Sequence, residues 1–199
     1  MENFIGKIVS LDNIKQWEER DSVIKESVSQ HSFKVSAICV YLLEKIASIN
    51  KMKADSSYQW LVFANKCMKY AILHDFDESI LGRDISHVVK YNSYNGEQIR
   101  GILNDFVDNK LKELDLTFVR EDDVDVKVFV KLCDWISMLT FIMRNKNAGS
   151  TSFERERAYC QESISKSIET VITMLQNKNY KVEREIFSNL IESIYGNES

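Results

Sequence analysis

Apolar residues recur along this chain at intervals of three and four rather than two. Val35, Ile38, Leu42 and Ile46 form one such stripe, and Val130, Met138, Phe141 and Ile142 belong to another. Ile164, Ile168 and Ile172 step by a full turn. This is the period of helices that bury one face, and with no proline and only six glycines the chain has few helix-breaking signals. The pattern predicts helices over residues 2–15, 30–49, 57–74, 95–113, 123–144, 152–176 and 180–195, with a short helical turn near 76–81. Loops are expected at Asn50–Asp55, Gly82–Gly96 and Asn145–Ser150, where Gly, Asn, Asp and Lys concentrate. None is long enough for an interdomain linker, and no repeat or low-complexity tract is present. The expected fold class is all-α: a compact single-domain helical bundle spanning residues 1–199.

Composition narrows the partners. Lys and Arg number 26 against 30 Asp and Glu, a formal charge of −4, so there is no global attraction to polymeric nucleic acid or to an anionic membrane. An anionic substrate has to be met by a local site. The N-terminus lacks a basic region followed by an apolar stretch, and no apolar run approaches the ~20 residues that span a bilayer. Cys39, Cys67, Cys133 and Cys160 are scattered through helical segments without a Cys-x-x-Cys pair, which predicts reduced core thiols and a cytoplasmic location. The acidic cluster Glu121, Asp122, Asp123 and Asp125 precedes a helix start, where negative charge complements the helix dipole; it lacks the glycine and following glutamate of a calcium loop.

Candidate chemistry rests on the three histidines. His31 shares the stripe of Val35, Ile38, Leu42 and Ile46 and therefore points inward. His74 and Asp75 end the mostly apolar run Met68-Lys69-Tyr70-Ala71-Ile72-Leu73, and Asp134 lies within the second apolar stripe. A carboxylate in such a stripe is costly unless something positive pairs with it. Singly, each residue reads as an ordinary core histidine or paired aspartate. Together they are two imidazoles and two carboxylates from three helical segments, a donor set that suits one divalent cation such as Mn, Co, Fe, Ni or Zn. Phosphoester hydrolysis is the natural chemistry of such a site, because a bound cation can activate water and polarise a phosphoryl oxygen.

The order His31, His74-Asp75, Asp134 resembles the H…HD…D signature of the HD-domain phosphohydrolases. Around it, Glu26-Ser27-Val28-Ser29-Gln30-His31-Ser32 is similar to the ESV-x-x-HS segment of the YfbR-like 5′-deoxynucleotidases, with Trp17 upstream where that branch has a tryptophan. Tyr70-Ala71-Ile72-Leu73-His74-Asp75-Phe76-Asp77-Glu78 resembles its YHD-x-x-E segment, and Val89-Lys90-Tyr91 matches a VKY in the following loop. The resemblance runs from about residue 10 to about residue 175. It implies a bundle of the HD-domain type, with His31, His74, Asp75 and Asp134 holding one divalent metal, whether Co, Mn, Mg, Fe, Ni or Zn. It further implies that Glu78 orients or deprotonates the attacking water, that Asp84 positions the substrate or protonates the leaving oxygen, and that Trp17 lies against the sugar and disfavours a 2′-hydroxyl. Trp17 as a core anchor and Glu78 as a solvated carboxylate are the bland alternatives.

The sequence also departs from that branch. Arg-Trp is usual at the first site, where the arginine engages phosphate bidentately; here the pair is Gln16-Trp17, which leaves Gln16, Arg20, Lys25 or Lys90 to meet the substrate. Gly82-Arg83-Asp84-Ile85-Ser86-His87 lacks the usual prolines and carries one extra residue, Arg83; His87 reads as an exposed loop histidine rather than a substrate contact. Trp60 and Trp135 are assigned to the core. The expected activity is hydrolysis of a deoxynucleoside 5′-monophosphate to nucleoside and phosphate by a metal-activated water. A deoxynucleoside triphosphate triphosphohydrolase and a catalytically inactive nucleotide-binding module are the alternatives. The apolar residues Phe153, Ile164, Ile168, Ile172, Ile186, Phe187, Leu190 and Ile194 exceed what one small core needs, which predicts a homodimer through the C-terminal helices.

Overall fold

The computed structural model describes residues 2–18, 20–51, 58–84 and 96–195, and the elements it forms there are helical. They are α1 (Glu2–Ser10), α2 (Val28–Ile49), α3 (Tyr58–Leu73), α4 (Phe76–Leu81), α5 (Gly96–Glu113), α6 (Val124–Asn147), α7 (Glu154–Asn177) and α8 (Glu185–Tyr195), with a 3-10 turn at Thr117–Val119. Among the described residues no strand is present; one antiparallel bridge joins Lys15 to Ser27. No described helix is long and apolar enough to cross a membrane.

Local chemistry sets the ends that matter. Ser27 and Gln30 form a reciprocal capping box, with the Ser27 N–H donating to the Gln30 side chain at 2.9 Å, so α2 begins at Val28. Asp123 caps α6, its side chain accepting from the N–H groups of Asp125 and Val126, as expected of that acidic cluster. Gly82 ends α4 in the left-handed conformation (φ 73°), its N–H closing onto the Glu78 carbonyl at 2.8 Å.

α6 is the axis of the molecule. It is buried on nearly every side, through Phe129, Leu132, Cys133, Ile136, Leu139, Ile142 and Met143 among others, and packs against α2, α3, α7 and α8. A smaller cluster of Phe76, Val107, Leu111, Leu116 and Val119 joins α4 and α5, with Phe4 and Ile8 of α1 laid against it. The two apolar clusters flank the polar residues considered below. Trp60, Trp135 and all four cysteines are buried, as the stripes predict.

Three expectations are corrected. The first helix does not continue to residue 15: Leu11, Asp12 and Asn13 close in tight turns onto Ile8, Val9 and Ser10, and Ile14–Gln16 then runs extended beside residues 26–28. Asp and Asn favour such turns, and the extended pairing gives the Gln16 N–H a partner in the Glu26 carbonyl at 2.9 Å. α6 runs on through the expected loop to Asn147, because Asn145 is fully buried: it accepts from the Ile24 N–H at 2.9 Å and donates to the Ile24 and Phe141 carbonyls. The last helix starts at Glu185 rather than 180, while Tyr180 packs edge-on against Trp60 at 5.0 Å.

The apolar surplus expected of the C-terminal helices is absorbed by the chain's own core. Phe153, Ile164, Ile168, Ile186 and Phe187 are buried, and Ile172, Leu190 and Ile194 pack, partly buried, against the same cluster.

Candidate metal centre and substrate cleft

His31 stands in the first turn of α2, buried to 3% exposure, and is gripped on both ring nitrogens. Its Nε2 is 3.0 Å from Asp134 Oδ1, and its Nδ1 is 3.2 Å from the Ser137 hydroxyl and 3.7 Å from Glu26 Oε1. Glu26 is itself buried and ion-paired to Lys34. Asp134 and Ser137, three residues apart on α6, thus share one face toward His31.

His74 directly follows α3. Its Nδ1–H donates to the Ala71 carbonyl at 2.9 Å, which makes Nε2 the nitrogen with a lone pair to offer. That Nε2 is buried and makes no hydrogen bond, although Asp75 Oδ2 lies 3.2 Å away. Asp75 occupies the cap position of α4 without capping it, so its carboxylate turns to the cluster, 3.7 Å from His31 Nε2. One donor atom from each of His31, His74 and Asp134 lies within 4.8 Å of the others. Two helices and a helix junction thereby bring together all four residues singled out as ligands.

Burial opposes charge on both carboxylates, yet their neighbours win: His74 and His31 hold Asp75 below its usual range, and Lys131 with His31 and His74 holds Asp134 well below it. Burial likewise pushes His31 down, but its bonds to Asp134 and Glu26 outweigh this and raise it to about 10. The carboxylate pair therefore demands a compensating positive charge, which a proton on His31 or a divalent cation supplies, and the two compete. A mixed nitrogen and oxygen donor set with a buried, unbonded imidazole nitrogen is what such a cation fits.

The cluster lies against a cavity of about 910 Å³. Trp17 forms part of its wall in a left-handed conformation (φ 57°), costly for a tryptophan, that is held by its N–H donating to Asp84 Oδ2 at 2.8 Å and by an edge-on contact with Phe153 at 5.9 Å. Glu78, one turn beyond His74, is buried at 3% exposure and lines the same cavity. Gln16 is also buried, and its amide donates to Asp75 Oδ2 at 3.2 Å, so it faces the cluster itself. Arg20 lines the cavity in an ion pair with Glu156, and Lys25 is exposed. Lys90 and His87 lie outside the described residues.

Sequence reasoning missed Lys131, Arg155, Tyr159 and Ser137, the first three lining the cavity. Lys131 and Ser137 sit three residues either side of Asp134, a spacing that was open to view; Arg155 and Tyr159 reach the cleft only through the packing of α7 on α6. Glu26 was read as part of a motif without a task, and the structure sets it behind His31.

Comparison with known proteins bears on this arrangement. Residues 3–181 match the family model described as 5′-deoxynucleotidase YfbR-like. The 4′-phosphooxetanocin A phosphatase of Priestia megaterium is 27% identical over 143 residues, 68% of this chain and 69% of that protein. The crystal structure of an HD-domain phosphohydrolase from Listeria innocua superposes with a TM-score of 0.65 at 15% identity, covering 98% of each chain. The cyanophage S-2L HD phosphohydrolase DatZ, solved with dA and one catalytic Zn²⁺, gives a TM-score of 0.51 at 14% identity over 96% of this chain and 94% of its own. At such identities the two structures speak to the fold, which is the all-helical HD-domain fold.

Proposed function

The chain belongs to the YfbR-like 5′-deoxynucleotidase family and is a phosphohydrolase, and from that premise we propose that it cleaves deoxynucleoside 5′-monophosphates to deoxynucleoside and phosphate at a site where His31, His74, Asp75 and Asp134 hold one divalent cation. The observation that carries the reading is the meeting of His31, His74 and Asp134 beside one cavity, with Asp75 against both imidazoles and His74 Nε2 buried and unbonded. Names of relatives agree with it: one is a 4′-phosphooxetanocin A phosphatase, another an HD phosphohydrolase solved with dA and zinc.

A cation bound there would supply Lewis acidity, lowering the pKa of water and polarising the phosphoryl group. The chain's own residues do the rest. Glu78 is near the cluster without belonging to it, the placement a base needs to accept the proton of the attacking water on its carboxylate. Water oxygen bonds to phosphorus as the bond from phosphorus to the 5′ oxygen breaks, and that oxygen leaves with a proton. Asp84 stands at the Trp17 end of the cleft, where it positions the sugar or, in its protonated form, donates the proton that the leaving oxygen takes, while the indole packs against the sugar and disfavours a 2′-hydroxyl. Gln16 orients Asp75.

Chromatography of products from a panel of deoxy- and ribonucleoside mono- and triphosphates tests the reading. Phosphate and nucleoside from deoxynucleoside monophosphates are expected, with ribonucleotides turned over more slowly. Tripolyphosphate from triphosphates would transfer the assignment to a triphosphohydrolase, and tight binding without turnover would leave a nucleotide-binding module.

A further inference from the structure

Charge at the cluster is out of balance for an anionic substrate. Asp75, Asp134 and Glu78 are three carboxylates, a divalent cation carries two positive charges, and a phosphate monoester at neutral pH arrives with up to two negative charges of its own. A further cation beside the reacting phosphorus would offset part of that excess. Two of the side chains first expected there are engaged otherwise: Gln16 is neutral and turned to Asp75, and Arg20 is paired with Glu156.

Lys131 is placed for the task. Its Nζ lies 2.6 Å from Asp134 Oδ2 and 4.4 Å from the centroid of the Trp135 ring, contacts one turn along the same helix that hold a long, flexible side chain in one pose. Its side chain is 45% exposed and lines the cavity, so the ammonium borders both the cluster and the open cleft. An ammonium carries three donors, and a bond to Asp134 is compatible with another to a phosphoryl oxygen.

Arg155, another cation of the cleft, stands farther off. Trp135 meets Tyr159 and Phe141 meets Phe153, so α6 and α7 run antiparallel with Arg155 level with Leu139. At a rise of 1.5 Å per residue this is about 7.5 Å along the axis from Asp134, against about 4.5 Å for Lys131. Arg155 also lies toward Phe153, and hence toward the Trp17 end where the sugar is assigned.

We propose that Lys131 binds the phosphoryl group undergoing hydrolysis, bridging substrate phosphate and Asp134 from the side of the cleft away from Trp17. Lys131 then takes on a phosphate charge that Gln16 cannot meet, and its pose against Asp134 and Trp135 prepares the donor before substrate enters. The proposal rests on the phosphohydrolase reading above, and its test is separable from turnover.

The test uses the cation-loaded full chain and inorganic phosphate as the probe, with binding followed by calorimetry for the wild type, Lys131→Met and Lys131→Arg. Cation content and melting temperature are measured alongside, as are kcat and KM for a deoxynucleoside monophosphate. Lys131→Met is expected to keep its cation and fold, to bind phosphate about tenfold more weakly or worse, and to show a KM raised in step, with Lys131→Arg recovering most of the loss. Unchanged phosphate affinity in Lys131→Met, joint loss of cation and phosphate, or a wild type that binds no phosphate would each overturn the proposal; the second would make Lys131 a support for Asp134 alone. Phosphate binding that depends on Lys131 in a protein that turns over no nucleotide would sustain the proposal and defeat the activity reading.

Discussion

Asp75 receives the Gln16 amide, borders both imidazoles, and joins α3 to α4. Asp75→Ala is therefore expected to lose both cation retention, read by elemental analysis, and turnover; a variant that keeps its cation would remove Asp75 from the ligand set. Glu78→Gln preserves shape while removing the base, so kcat should fall by roughly 10²–10⁴-fold with cation content unchanged, and a kcat near that of the wild type would assign the proton elsewhere. The meeting of His31 and Asp134 was legible because histidines are scarce here and both residues fall on apolar stripes, where an imidazole or carboxylate needs a reason to be. The tasks of Gln16 and Arg20 were not legible, because a polar side chain near a site is defined by the partner it finds, and those partners, Asp75 and Glu156, are remote in sequence. Trp17 shows the same limit: its left-handed backbone depends on Asp84, which no local pattern announces.

Among the elements, helices with a clear cap or a sustained stripe fell where the pattern put them, within a few residues: α2 with its Ser27–Gln30 box, and α7 with Ile164 and Ile168. The first helix ended early because residues 14–16 pair with residues 26–28, a long-range choice that helical periodicity does not record. Asn145 is the counterpart at the end of α6. Asparagine and lysine read as loop, yet one buried amide ties α6 to Ile24, in the strap that carries Trp17 and Arg20 over the cleft. Asn145→Ala leaves the Ile24 N–H without this partner and should destabilise by about 1–3 kcal/mol. That is a fall in melting temperature of roughly 2–4 °C for each kcal/mol. Substrate KM should rise in the same variant as the strap loosens; an unchanged melting temperature would show that the strap is held by other contacts.

Across the whole molecule, the candidate ligands link α2, the α3–α4 junction and α6, so a cation held by them would stabilise the packing of the bundle. At a concentration of about 100 Kd it should add about 2.7 kcal/mol, seen as a rise in melting temperature that chelation reverses. The sign with pH follows from His31, raised from 6.5 to about 10: without cation, its contribution is complete below 6.5 and is lost as pH climbs toward 10. Asp75 and Asp134, both lowered from 3.8, contribute above that value and fail as pH falls through and below it. Chelated protein should therefore melt lower as pH rises from 6.5 to 10. Because the cation displaces the proton on His31, the gap between loaded and chelated protein should widen over the same interval; a gap independent of pH would deny that His31 is a ligand. The most direct measurement is a titration of metal-stripped protein with Mn or Co, following phosphate released from a deoxynucleoside monophosphate. The four-residue site predicts no turnover at the start, recovery that saturates at one cation per chain, and no recovery in Asp134→Ala. Undiminished turnover by the stripped protein, or full recovery in Asp134→Ala, would contradict it.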